Sequence, residues 1–313
     1  MKTILITGAS GFLGQSLCDH YVKLGYKVVG VSRNNKNLFN VKLKNSQVEL
    51  YPCDVSNINE LEKVFMTHKP NYVIHAAATK FVDWAEKFPS ECFTNNLIGS
   101  KNVLDLCLKY SVEKLIGIST DKASPPIKNL YGLTKATMEK LYTLSSCETT
   151  KICCVRYGNV TWSSGSVFPI WEDLVKNGKK PTITNKDMTR FFFSVDEAVN
   201  LIKTALDNIE EVEGKILSCK MKSCTIEELL NVFCEIYNCD YESMPVRPGE
   251  RMYENLISNS EYEYTEVYKN VFLLLHLNEK NTLENHLESE YNTQNCDKLS
   301  HHEIKSLILN KKS

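Results

Sequence analysis

Short β-branched runs alternate with longer amphipathic stretches along the first half of the chain. KTILIT (residues 2–7) predicts a strand, and GQSLCDHYVKLG (residues 14–25) predicts a helix closed by its final glycine. KVVGVS (27–32), QVELYPCD (47–54), NYVIHAAA (71–78) and KLIGIST (114–120) repeat the strand signature, with helical patterns between them. KICCVRYGNV (151–160) reads as one further buried strand. Strands separated by helices call for βαβ units, so the expected fold is α/β, a Rossmann-type doubly wound parallel sheet. Beyond residue 160 the pattern loosens. Gly, Pro and Lys punctuate NGKKPTIT (177–184), and the helical stretches VDEAVNLIKTAL (195–206) and TIEELLNVFCEIY (225–237) alternate with loops. The layout predicted is a first domain over 1–160, to which about 185–205 return. A smaller, interleaved C-terminal lobe then spans 161–280, and a polar segment spans 281–313.

Composition narrows the function classes. Of 313 residues, 42% are hydrophobic and 24% charged, which suits an ordinary globular core. A formal net charge of -1 gives no bulk attraction to nucleic acid or a membrane surface. The first apolar run is too short for a signal core, and VFLLLHL (271–277) is far short of the roughly 20 apolar residues of a membrane helix. A cytoplasmic protein with neither partner is expected. The twelve cysteines include no CxxC pair; Cys153 and Cys154 are adjacent, and Cys219/Cys224 and Cys234/Cys239 are spaced too widely for a zinc knuckle. They read as reduced thiols, with no metal site.

The chemistry begins at TGASGFLG (7–14), between the first strand and the first helix. Gly8 permits a tight turn, Gly11 lets the backbone approach a pyrophosphate, and Gly14 allows close helix–sheet packing. The helix start then offers amide donors to the phosphates, through Ser10, Phe12 and Leu13. The second strand ends in Ser32-Arg33-Asn34, with an arginine where an NAD site usually presents a carboxylate. An arginine pairs with a 2′-phosphate, so NADP is the expected cofactor ahead of NAD. Asp54-Val55, ending the third strand, would flank the adenine.

Ser119-Thr120-Asp121-Lys122 lies at the carboxyl end of a strand, where open parallel sheets build their sites. Tyr131 and Lys135 are four residues apart and share a helix face, which would let the ammonium favour a tyrosinate. Such a tyrosine takes a proton from a hydroxyl while hydride leaves the same carbon.

TGASGFLG, HAAATK (75–80), STDKA (119–123), YGLTK (131–135) and RYGNV (156–160) resemble the extended short-chain dehydrogenase/reductases. DMTRFF (187–192) and VRPGERMYENLIS (246–258) are similar to segments of the UDP-N-acetylglucosamine 4,6-dehydratases that invert C5, and the likeness fades after about residue 260. That resemblance implies that Tyr131 deprotonates the C4 hydroxyl, Lys122 removes the C5 proton, and Asp121 protonates the departing C6 hydroxyl, beside Thr120 and Lys135. It implies cofactor contacts from Ala76, Ala77, Ala78, Lys80 and Asn96. It also implies substrate contacts from Lys80, Asn159, Arg190, Arg247 and Glu250, to a UDP-sugar. A membrane-anchored, retaining subgroup carries Met in place of Tyr131, so the tyrosine points to inversion. The chain departs from the family at Phe81 and Asp83, in a longer loop through Ser124-Pro125-Pro126, and at Trp162 and Ser164, changes expected to surround the sugar. A homo-oligomer is expected through helices near 90–110 and 131–145. Two other readings stand beside this one. A 4-epimerase, another 4,6-dehydratase or a 4-keto reductase would use the same Thr, Tyr and Lys, with Asp121-Lys122 as the discriminating pair. A catalytically inactive NADP-binding regulator would have no need of the intact Tyr/Lys pair.

Overall fold

The β-branched runs form the strands expected of them: β1 (Thr3–Thr7), β2 (Lys27–Ser32), β3 (Glu49–Pro52), β4 (Tyr72–His75), β5 (Lys114–Ile118) and β6 (Lys151–Val155). The computed structural model describes residues 1–245, 250–277 and 285–311. Every residue of β1 is buried, which is why it reads as an unbroken TILIT rather than an alternation. Leu5 pairs with Val29 on one side and Val73 on the other, in parallel register. The sheet runs β3-β2-β1-β4-β5-β6, continues in parallel through Lys215–Cys219, and ends in the antiparallel strands Phe272–His276 and Thr265–Tyr268. The fold is therefore α/β and Rossmann-like. Between β1 and β4 the order reverses, so a crevice opens at their carboxyl ends.

Helix α1 (Phe12–Lys23) packs on the helix Val195–Asp207, which also lies against β5 and β6. Val195–Asp207 opens with a capping box between Ser194 and Glu197. One apolar cluster runs through the whole sheet, from Ile4 and Val29 through Ile116 and Cys153 to Leu217 and Leu274. A second is aromatic, built on Trp162, Phe168, Trp171, Phe192 and Phe233.

Two sequence expectations change. The run 151–160 is two strands: β6 stops at Val155, and Asn159–Val160 leaves the large sheet to pair with Phe192 and Phe193. Arg156 sits at the break because its guanidinium turns inward onto Glu139 and Glu261. Second, a division at residues 161–280 cuts across the sheet, because three of its strands lie in that range. The polar C-terminal segment, for which the sequence predicts no element, holds two among its described residues. Tyr291–Asn292 pairs with Asn255–Ile257, and the helix His301–Leu309 buries Ile304 and Ile308 in the aromatic cluster. Among the described residues, no helix is long and apolar enough to cross a membrane, and no group of three or more His, Cys, Asp or Glu is placed to hold a metal. All twelve cysteines are free thiols.

Candidate active site

The carboxyl ends of β1, β2, β4 and β5 open into one cleft of about 880 Å³, at the upper end of the range of small-molecule sites. The glycine turn forms its floor. Gly8 has φ +72°, and a Cβ there would lie 2.9 Å from the backbone of Ala76 and Ala77. A Cβ on Gly14 would lie 2.2 Å from the Gly8 carbonyl oxygen, so α1 approaches the turn as closely as backbone allows. Gly11 donates its amide to the Gly8 carbonyl (2.9 Å) and caps α1 without any side chain of its own. This cradle fits a dinucleotide pyrophosphate. Ser10, Gly11, Phe12, Leu13 and Gly14 line the cleft, as do Ala76, Ala77 and Ala78 beyond β4. The turn is braced from behind. Thr7 meets His75 Nδ1 at 2.8 Å and accepts the Ala77 amide at 3.1 Å. Burial holds the His75 pKa down to about 3, so the ring is a neutral brace.

At the adenosine end, Ser32, Arg33, Asp54 and Val55 line the same cleft. Arg33 is half-exposed, donates to Asn95 Oδ1 (3.1 Å) and lies 3.9 Å from Asp54 Oδ2. Two expected contacts are elsewhere. Asn34 caps the helix Asn35–Lys44, its side chain accepting from the Asn37 amide. Asn96 is fully buried, exchanging hydrogen bonds with the Thr79 backbone (2.7 and 3.0 Å) and donating to Thr134 (3.1 Å). Its neighbour Asn95 lines the cleft instead. The two lie on the π-helical turn Thr94–Ile98, whose wider winding decides which asparagine faces inward.

The helix Leu130–Thr143 carries Tyr131 and Lys135, and its placement is set locally. The Asn129 side chain caps it through the Gly132 amide (2.8 Å). A Cβ on Gly132 would come within 2.2 Å of the Lys122 carbonyl oxygen, so only glycine lets this helix touch the turn Asp121–Ala123 that follows β5. Thr120, Lys122, Tyr131 and Lys135 thereby share one wall of the cleft, with Ser119 at its edge. Burial pushes the Tyr131 phenol up to about 12, while the Lys122 charge and a Thr120 hydrogen bond pull the other way. Lys135 Nζ donates to the Ile118 carbonyl (2.6 Å) and burial lowers its pKa to about 8, while the Lys122 charge also favours the Tyr131 phenolate.

Asp121 is buried beneath this wall and does not line the cleft. Its Oδ1 accepts from the Thr120 hydroxyl (2.9 Å) and Lys122 Nζ (3.0 Å), and Oδ2 has no hydrogen-bond partner among the described residues. Lys122 also reaches Asn159 Oδ1 (3.4 Å) and lies 3.7 Å from Glu254. Burial opposes its charge, yet Asp121 and Glu254 prevail and raise its pKa above the ordinary lysine value. Nothing in the sequence marked Glu254, a buried carboxylate that Arg190 (3.7 Å) and Arg251 (3.6 Å) also approach.

Among the remaining expected contacts, Lys80 and Asn159 line the cleft and Arg190 and Glu250 do not. Arg190 donates to the carbonyls of Thr189 and Arg251, both at 2.8 Å. Arg247 lies outside the described residues. Of the departures from the family pattern, Phe81 and Ser164 line the cleft. Trp162 does not surround the sugar: its ring is buried in the second cluster, and its indole donates to the Leu307 carbonyl (3.1 Å) of the C-terminal helix.

The profile of the family described as polysaccharide biosynthesis protein matches residues 4–276. A UDP-glucose 4-epimerase of Rickettsia rickettsii is 34% identical over 330 aligned positions, covering 98% of this chain and 95% of that protein. The crystal structure of Pen from Bacillus thuringiensis superimposes with a TM-score of 0.90 at 28% identity, over 99% of this chain and 97% of Pen. A UDP-glucose 4-epimerase of Thermotoga maritima, solved with UDP-glucose, gives a TM-score of 0.69 at 25% identity, over 79% of this chain and 87% of that one.

Proposed function

The chain belongs to the polysaccharide biosynthesis protein family, and from that premise we propose that it acts on a UDP-hexose through a 4-keto sugar. The observation that carries this reading is the convergence of Thr120, Lys122, Tyr131 and Lys135 on one wall of the cleft that the glycine turn floors. Tyr131 takes the proton of the C4 hydroxyl, with the Thr120 hydroxyl and the Lys122 charge favouring its phenolate. A nicotinamide dinucleotide in the glycine cradle supplies the hydride acceptor and donor. Arg33, a half-exposed cation at the end of β2 where positions 32–34 hold no carboxylate, supports NADP over NAD, with Asp54 Oδ2 3.9 Å away as the competing partner.

The 4-keto sugar has two fates, each favoured by a different observation. The names of the relatives support 4-epimerisation, in which the ketone is reduced from its other face and no further acid or base is required. The Asp121–Lys122 pair beside Tyr131 supports 4,6-dehydration: Lys122 removes the C5 proton, the C6 hydroxyl takes a proton from the Asp121–Lys122 pair and leaves as water, the hydride taken from C4 is returned to C6, and reprotonation at C5 from the Tyr131 side inverts that centre. Two features weigh against dehydration. Lys122 rests as an ammonium between two carboxylates, and Asp121 lies below the wall, so the epimerase reading stands at least level.

Incubation with UDP-glucose and UDP-N-acetylglucosamine in D2O tests both. A dehydratase yields a 6-deoxy-4-keto sugar with solvent deuterium at C5, in the L-arabino configuration from UDP-N-acetylglucosamine if C5 is inverted. An epimerase yields the 4-epimer with no deuterium at carbon. Unchanged substrate would remove the 4-keto reading.

A further inference from the structure

Glu254 is the unexplained charge of the site. It sits on the approach to the strand Asn255–Ile257, is 3% exposed, and has one carboxylate oxygen without a hydrogen-bond partner among the described residues. Three cations from three different segments lie within 3.7 Å of it: Lys122 after β5, Arg190 in the strand Thr189–Phe193, and Arg251. Arg251 is itself fixed from outside, donating to the Pro126 carbonyl (2.5 Å) of the loop that leads to the tyrosine helix. Arg190 is fixed by the Thr189 and Arg251 carbonyls. Lys122 alone of the three lines the cleft.

We propose that Glu254 is a positioning residue that holds Lys122 between two carboxylates and so decides whether that amine meets the sugar as an acid or as a base. Among the described residues, the groups around Lys122 are Asp121 on its own turn, Tyr131 on the neighbouring helix, Asn159 on the crossing strand, Arg190 in the strand Thr189–Phe193 and Glu254 before the strand Asn255–Ile257. Two anions and one cation of these face it, so its charged form is favoured although it is largely buried. Arg190 pulls against this, and Glu254 divides the two cations. With Glu254 in place, Lys122 keeps its proton, and removal of the C5 proton from a 4-keto sugar is restrained. Without it, neutral lysine becomes accessible.

The consequence for the sugar rests on the 4-keto reading; the hold on Lys122 does not, and the test separates them. Lysine acylation by acetic anhydride across a pH series, read at the Lys122 peptide by mass spectrometry, is carried out on the full protein with no sugar present. In the wild type the midpoint of Lys122 reactivity is expected above that of surface lysines in the same digest. E254Q should lower it by roughly one pH unit or more, and E254D, which keeps the charge, should restore most of the shift. A wild-type midpoint at or below the surface lysines overturns the proposal, and that arm stands even if E254Q fails to fold. So does an E254Q midpoint equal to the wild type in a variant that melts normally. In turnover, E254Q should increase solvent-deuterium entry at C5 of the keto sugar at neutral pH. Absence of any turnover in the wild type would instead count against the 4-keto reading and leave the labelling result standing.

Discussion

Tyr131 and Lys135 announce themselves by spacing, but which cation serves the tyrosine depends on a fold that spacing cannot convey. A four-residue separation puts both side chains on one helix face, and there Lys135 is captured by the Ile118 carbonyl. The Lys122 charge acts on Tyr131 because Gly132 lets the tyrosine helix touch the turn that carries Lys122. It follows that Lys122→Met should raise the Tyr131 pKa and move the alkaline rise of the pH–rate profile to higher pH, with dinucleotide binding intact. A profile that stays in place would assign that influence elsewhere. Tyr131→Phe should lower turnover by about 10²–10⁴-fold. Lys135 makes a stability prediction of opposite sign to its catalytic one. Burial lowers its pKa from 10.5 to about 8, so between those values the unfolded chain binds the extra proton and stability rises with pH. Below pH 8 the penalty is present in full. Lys135→Met should therefore melt higher than wild type at pH 7, by a margin that shrinks toward pH 10, while losing activity. A constant margin in thermal melts would contradict the assignment. Asn95 and Asn96 show the same limit on legibility: adjacent and identical, they are told apart only by the winding of a π turn.

The elements that were legible are those whose signal is local. Strands β1 to β6 are β-branched runs bounded by helices, and the glycine turn lies between a strand and a helix start. The elements that were not legible are fixed by distant partners. Arg156 ends β6 because it binds Glu139 on the tyrosine helix (2.7 and 2.8 Å) and Glu261 (2.9 Å), and Glu261 in turn accepts from Ser124 (2.7 Å) and Ser258 (2.9 Å). This buried triad ties the tyrosine helix to the segment that follows the strand Asn255–Ile257. Arg156→Met should strand two buried carboxylates and cost roughly 3–5 kcal/mol in urea unfolding, whereas a cost under about 1 kcal/mol would show that the triad is not a brace. The helix His301–Leu309 went unread because it buries chiefly Ile304 and Ile308, too few apolar positions to set a period in so polar a stretch.

At the scale of the molecule, the chain joins a dinucleotide cradle at the switch point of a parallel sheet to a lobe whose charged residues reach back to Lys122. The cradle's residues were visible in the sequence, and the proposed preference for NADP rests on Arg33. Arg33→Asp should weaken NADP binding and shift relative affinity toward NAD, and an unaltered ratio would take Arg33 out of the account. The contribution of the lobe was only partly visible, since Glu254 acquires its meaning from cations contributed by segments more than 60 and 130 residues earlier in the chain. The central claim is that hydrogen leaves C4 of a UDP-hexose, and a substrate carrying deuterium at C4 tests it most directly. NMR of the product should find the label on C4 in the opposite configuration if the sugar is epimerised, or on the C6 methyl group if it is dehydrated. A folded, dinucleotide-loaded protein that leaves the label on C4 in its original configuration, whatever else it does to the sugar, would contradict the account.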